Sequence, residues 1–141
     1  LAGALQAAGS VVFVGYVEGR LKSAWLAAAS ALVLPSLSEG SPLAALEAMA
    51  AGTAVLLTRA CNLPEIEEAG AGILTDHSPE ILWRDLRRLL SLDEHELESM
   101  GRRARELVSK SYSWNTICDQ LEEVFLWMLN GGGAPACVRI N

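Results

Sequence analysis

Four short apolar runs, Val11 to Val14, Ala31 to Leu34, Thr53 to Thr58 and Gly72 to Thr75, punctuate the first half of the chain. They lack the apolar/polar alternation of a strand with one wet face, and read instead as strands buried on both faces. The stretches between them have helical character. Leu21, Ala24, Trp25 and Ala28 recur at helical spacing over Arg20 to Ala29, an apolar segment runs from Pro42 to Ala51, and Pro64 to Ala69 starts a short helix at a proline. Strands alternating with helices form βαβ units, so a parallel sheet flanked by helices, with right-handed crossovers, is expected.

From Ser78 onward the pattern is helical. Ser78 precedes Pro79 and the apolar series Ile81, Leu82, Leu86, Leu89 and Leu90; a second helix starts near Asp93 and carries Leu97, Met100, Ala104, Leu107 and Val108. Both are expected to cover the sheet. A third starts at Ser113 with Trp114, Ile117, Leu121, Val124, Phe125, Met128 and Leu129 on one stripe, too apolar to be left in water, with Trp114 as its anchor. The fold class is therefore α/β, a Rossmann-like parallel sheet flanked by helices. Residues 1–133 are expected to form one domain, truncated on its N-terminal side because Leu1 to Ala8 reads as the tail of a helix, and residues 134–141, beyond three glycines, a loose tail.

Charge and cysteine usage exclude several classes. A net charge of −6 leaves no basic face for nucleic acid, and the arginines at 84, 87, 88 and at 102, 103, 105 read as solvated helix faces. Cys61, Cys118 and Cys137 show neither paired nor metal-ligand spacing, and His77 and His95 have no second ligand nearby, so no metal is expected. No apolar run is long enough to span a bilayer. A cytoplasmic location follows as an expectation, with the membrane surface as a second one. The G-x-G-x-x-G fingerprint and the phosphate-binding P-loop are both absent, so no dinucleotide cofactor or NTP hydrolysis is suggested.

One stretch then stands out, Glu39 to Glu47. Ser41 is in N-cap position before Pro42, Gly52 is in C-cap position, and between them Leu43 to Ala51 is apolar on every face except at Glu47. An all-apolar helix is normally buried, and a buried carboxylate requires a cation, hydrogen-bond donors or a wet cleft. Side chains lean toward a helix N-terminus, so Glu47 is expected to point back to the anion site formed by the free N–H groups there. A phosphate at the cap with hydroxyls near Glu47 describes a sugar nucleotide.

These residues resemble the retaining GT-B glycosyltransferases of family 4. Two glutamates with seven residues between them, followed by Met49-Ala50-Ala51-Gly52, are similar to that family's paired-glutamate motif. Val12-Phe13-Val14-Gly15, Leu32 to Ser36, Asn62-Leu63-Pro64-Glu65, Gly70 with Gly72, and Tyr112-Ser113-Trp114 resemble its flanking segments in the same order; Ala54 stands where proline is usual and Ser41 where phenylalanine or leucine is more common.

The resemblance implies the partial C-terminal, donor-binding domain of a GT-B fold. It implies a nucleotide-sugar donor, a hexose-type sugar transferred with retention, and an acceptor that is a saccharide, a lipid-linked species or a small molecule. Glu39 would be the catalytic residue against the transferred sugar and Glu47 the ribose anchor. The backbone of Gly40, Ser41, Pro42 and Leu43 would line the donor, with Pro42 lacking an N–H. No cofactor and no metal is implied. The family's basic pair and acceptor domain precede this chain, so it would be inactive alone, and its open apolar surface would favour self-association. Two other readings stay open at this stage: a non-catalytic Rossmann-like binding or scaffold domain, and another GT-B enzyme such as a phosphorylase or a sugar-nucleotide epimerase.

Overall fold

The computed structural model describes residues 11–138, so the helix tail expected at Leu1 to Ala8 lies outside the described residues. Its elements are α1 (Gly19–Ala28), β1 (Ala31–Leu34), α2 (Leu43–Ala51), β2 (Ala54–Thr58), a 3-10 turn (Arg59–Cys61), α3 (Glu65–Glu68), β3 (Gly72–Thr75), α4 (Pro79–Leu90), α5 (Glu94–Ser111) and α6 (Trp114–Asn130). The sheet is parallel in the order β1-β2-β3, with Ala31 opposite Ala54 and Val55 opposite Gly72. Both crossovers carry helices, as apolar parallel strands require. The expected first strand is not formed: Val11 to Val14 has no strand structure, and Val12, Phe13 and Val14 are exposed. A four-residue run has no stability of its own, and among the described residues no helix covers it.

Every residue of β2 is buried, and its side chains alternate between two cores. Val55 and Leu57 face Ala45, Ala48 and Met49 of α2, Ile66 of α3 and Ala104 of α5. Leu56 faces the opposite way, with Ile73 of β3 and Leu89 of α4. The later half of α5 packs in the first core through Leu107 and Val108, and its earlier half reaches the second through Leu97 and Met100. Both α4 and α5 therefore cover the sheet, as their stripes indicate.

Three helix ends follow local chemistry closely. Gly52 adopts a left-handed conformation at the end of α2, at φ 84°. Asp93 forms a capping box, accepting from the Glu96 N–H while the Glu96 carboxylate accepts from the Asp93 N–H. Ser113 caps α6 by accepting from the Thr116 N–H. Two serines do not cap as expected: Ser78, at the N-cap of α4, accepts no N–H and donates to the Glu80 carboxylate instead, and Ser41 is not the N-cap of α2. Pro42 takes that position, with ψ at 71°, and no side chain caps the helix.

Two further expectations differ from the structure. Only one face of α2 is buried, with Leu43, Ala44 and Glu47 exposed on the other. Trp114 does not anchor α6: it is 80% exposed, and no residue of that helix is buried. The stripe through Phe125 and Leu129 faces solvent in this chain. From Gly131 to Val138 there is no helix or strand. No described helix is long and apolar enough to cross a membrane.

Candidate functional site

The turn between β1 and α2 lies at the carboxyl ends of the strands, where open α/β sheets bind ligands. It is fastened to the end of β2 at two points. The Thr58 hydroxyl donates to the Ser36 carbonyl at 2.5 Å, and the Glu39 N–H donates to the Ala60 carbonyl at 3.1 Å. Thr58 is fully buried, so its hydroxyl has no water to turn to and the bond is obligatory. Glu39 is thereby held at the strand ends. Its carboxylate accepts from the Ser36 hydroxyl at 2.6 Å.

Beyond Glu39 the backbone is open. A Cβ at Gly40 would meet nothing within 4 Å, and Ser41 is exposed while Pro42 is buried. The Leu43 N–H, counted from sequence among the donor-lining groups, is instead taken by the Ser41 carbonyl at 2.9 Å, because the non-helical Pro42 bends the chain back on itself. The next donors, on Ala45 and Leu46, both turn to the Pro42 carbonyl. The Gly40, Ser41 and Ala44 N–H groups have no acceptor among the described residues. These three, and not Leu43, are the donors left open at the start of α2.

Glu47 meets the cation its position calls for, in a place the sequence does not indicate. Its carboxylate accepts from Lys22 Nζ at 2.8 Å, and Lys22 lies on α1, not at the N-terminus of α2. Both side chains are close to half exposed, so neither charge is locked away. They line a groove of about 340 Å³ with Ser23, Leu26, Ala50 and Ala51. Lys22 escapes sequence reading because its partner is 25 residues away. Glu39 and the three open N–H groups thus lie in the turn after β1, while Glu47 and Lys22 pair in the groove between α1 and α2.

Two motif segments also meet. The Tyr112 hydroxyl, at the end of α5, donates to the Glu65 carboxylate at the start of α3. Among the described residues no group of three His, Cys, Asp or Glu side chains is close enough to hold a metal ion.

Comparison with known proteins places the chain in a family. Residues 1–92 match the family model described as glycosyl transferases group 1, and the chain belongs to that family. It is 36% identical over 103 residues to a D-inositol 3-phosphate glycosyltransferase of Streptomyces griseus subsp. griseus, a match covering 72% of this chain and 21% of that protein. It is 35% identical over 106 residues to an MMP alpha-(1->4)-mannosyltransferase of Mycolicibacterium hassiacum, covering 73% of this chain and 26% of the relative. Among solved structures it superposes on sucrose-phosphate synthase from Thermosynechococcus elongatus with a TM-score of 0.74 and 26% identity, over 93% of this chain and 34% of that one. The C-terminal domain of a glycosyl transferase group 1 family protein from Francisella tularensis gives 0.64 and 28%, over 80% and 60%. The fold is that of a GT-B glycosyltransferase C-terminal domain. The chain spans 21 to 30% of the length of the first relatives it matches.

Proposed function

We propose that this chain is the donor-binding part of a longer, retaining glycosyltransferase of family 4, which uses a nucleotide-sugar donor and moves a hexose-type sugar to a saccharide, lipid-linked or small-molecule acceptor. The observation that carries the reading is the fastened turn. It presents a carboxylate, Glu39, followed at once by backbone donors that have no acceptor among the described residues. A diphosphate on the Gly40, Ser41 and Ala44 N–H groups would be stabilised by the end of the helix dipole without a metal. Glu39 then lies on the sugar side, where a carboxylate supports positive charge developing at the anomeric carbon.

Glu47 takes the ribose hydroxyls, each charge-assisted bond being worth about 1.5 to 3 kcal/mol. Its exposed carboxylate can accept them while keeping Lys22. The scaffold reading gives no reason for Glu39 to be tied down beside open N–H groups. In the full-length protein, Glu47→Ala is expected to raise the donor dissociation constant tenfold or more, equivalent to about 1.4 kcal/mol. Isothermal titration with UDP-, GDP- and ADP-sugars measures it and identifies the base. Donor affinity unchanged in the variant removes the ribose role. Alone, the 141-residue chain is expected to be inactive, and its exposed apolar faces support self-association.

A further inference from the structure

The arginines that read as two solvated helix faces do not stay apart. Arg84 and Arg88 from α4, Arg103 from α5 and Arg59 from the turn after β2 line one cavity of about 390 Å³ along β3, the last strand of the sheet. No residue of the Ser36 to Glu47 stretch lines it, so it is separate from the donor site. Two carboxylates share the wall, and each is already matched. Asp85 is buried and bound by Arg84 Nε at 2.8 Å, while Glu67 lies 3.4 Å from Arg59, which also has Asp76 at 3.8 Å.

Two guanidiniums are left over. Arg103 donates to the Gly70 carbonyl and to the Ser99 hydroxyl, both neutral acceptors, and Arg88 has no hydrogen bond or ion pair among the described residues, only the attraction of its charge to Asp85, which Arg84 already binds. In a chain of net charge −6, a cavity lined by four arginines and two carboxylates is a local reversal of sign. Guanidiniums present forked donors that fit phosphate oxygens, and two of them balance a phosphate dianion. Ile73, Leu74, Leu92 and Met100 form an apolar wall beside them. The cavity has room for a compact organic body as well as the phosphate.

We infer that this cavity is a binding site for a phosphate dianion, carried by a small phosphorylated molecule and held by Arg88 and Arg103. The test uses the 141-residue chain, labelled for two-dimensional NMR, with inorganic phosphate and glycerol 2-phosphate as probes and chloride at matched ionic strength as control. Both probes are expected to give saturable shifts at the Gly70, Ile73 and Leu92 amides and at the arginine side-chain N–H groups. If the phosphomonoester saturates at lower concentration than inorganic phosphate, the natural ligand has an organic body; if equally, it is the free ion.

Arg88→Gln is expected to weaken binding about tenfold or more, as loss of a charge-assisted contact does, and Arg88→Glu to abolish it. Changing Arg88 breaks no hydrogen bond and removes only the pull of its charge on Asp85, and the amide spectrum of each variant without ligand checks that the fold is kept. Arg87→Gln removes the same charge from the same helix but does not line the cavity, and is expected to bind as the unaltered chain does. Equal weakening by Arg87→Gln and Arg88→Gln, identical shifts with chloride, or a response that never saturates would each overturn the site.

Discussion

Gly101 sits where α5 crosses the turn between α2 and β2, and a β-carbon there would fall inside the carbonyl of Gly52. The neighbouring atoms are backbone, which cannot rotate away as a side chain can. Gly101→Ala is therefore expected to cost at least the about 1 to 3 kcal/mol typical of overpacking, read as a lowered urea midpoint with an unchanged slope. A variant as stable as the parent would mean that α5 is not seated on that turn. Asp85 makes a second argument at this scale. The hydrogen bond from Arg84 holds its carboxyl below the ordinary aspartate range, against the burial that would raise it. A lowered folded-state pKa contributes stability above the unfolded value of about 3.9, and that contribution is lost as pH falls through the folded value. Asp85→Asn should thus be less stable than the parent at neutral pH, and the gap should close as pH drops below about 4. Urea midpoints across that range check it, and a gap constant down to the acid limit would count against an ionised Asp85.

Among the elements, α5 depends most visibly on its start, where the Asp93 and Glu96 side chains each satisfy the other's backbone N–H. Asp93→Ala is expected to cost about 0.5 to 2 kcal/mol by chemical denaturation, because it leaves first-turn donors without their acceptor. The start of α5 near Asp93 was legible in sequence, and so were Ser113, Gly52 and the bounds of β1 and β3, since each depends on residues within a few positions. Val11 to Val14 was misread for the complementary reason. Composition can say that a run suits a strand but not whether a neighbour is there to pair with it. At the site, Glu39 and the open N–H groups after it follow from a local pattern, whereas Lys22 beside Glu47, Thr58 beneath Ser36 and Tyr112 on Glu65 all join positions more than twenty residues apart. Proline at position 42 signals a helix start, yet its ψ, which removes Leu43 from the donor set, is fixed by the turn and not by the residue type.

Over the whole molecule, the apolar surface is unevenly finished. One side of α6 and the Val12 to Tyr16 segment are exposed, with Leu129 at 81% and Tyr16 at 88%. Water contact of that extent is costly at about 25 cal/mol per Å², so the isolated 141-residue chain is expected to associate as concentration rises. Sedimentation velocity over a concentration series measures this, and Phe125→Glu with Leu129→Glu should shift it toward monomer. A monodisperse monomer at all concentrations would show that these faces tolerate water. The bonds from Thr58 to Ser36 and from Glu39 to Ala60 have a mechanical consequence on the same scale. They make the loop after β1 a cantilever clamped at Glu39, with Gly40 as its first unobstructed joint and the buried Pro42 as the far support. Any closing of that loop on a ligand is then a short swing of two residues about a fixed carboxylate, so Glu39 keeps its place while the N–H groups beside it adjust.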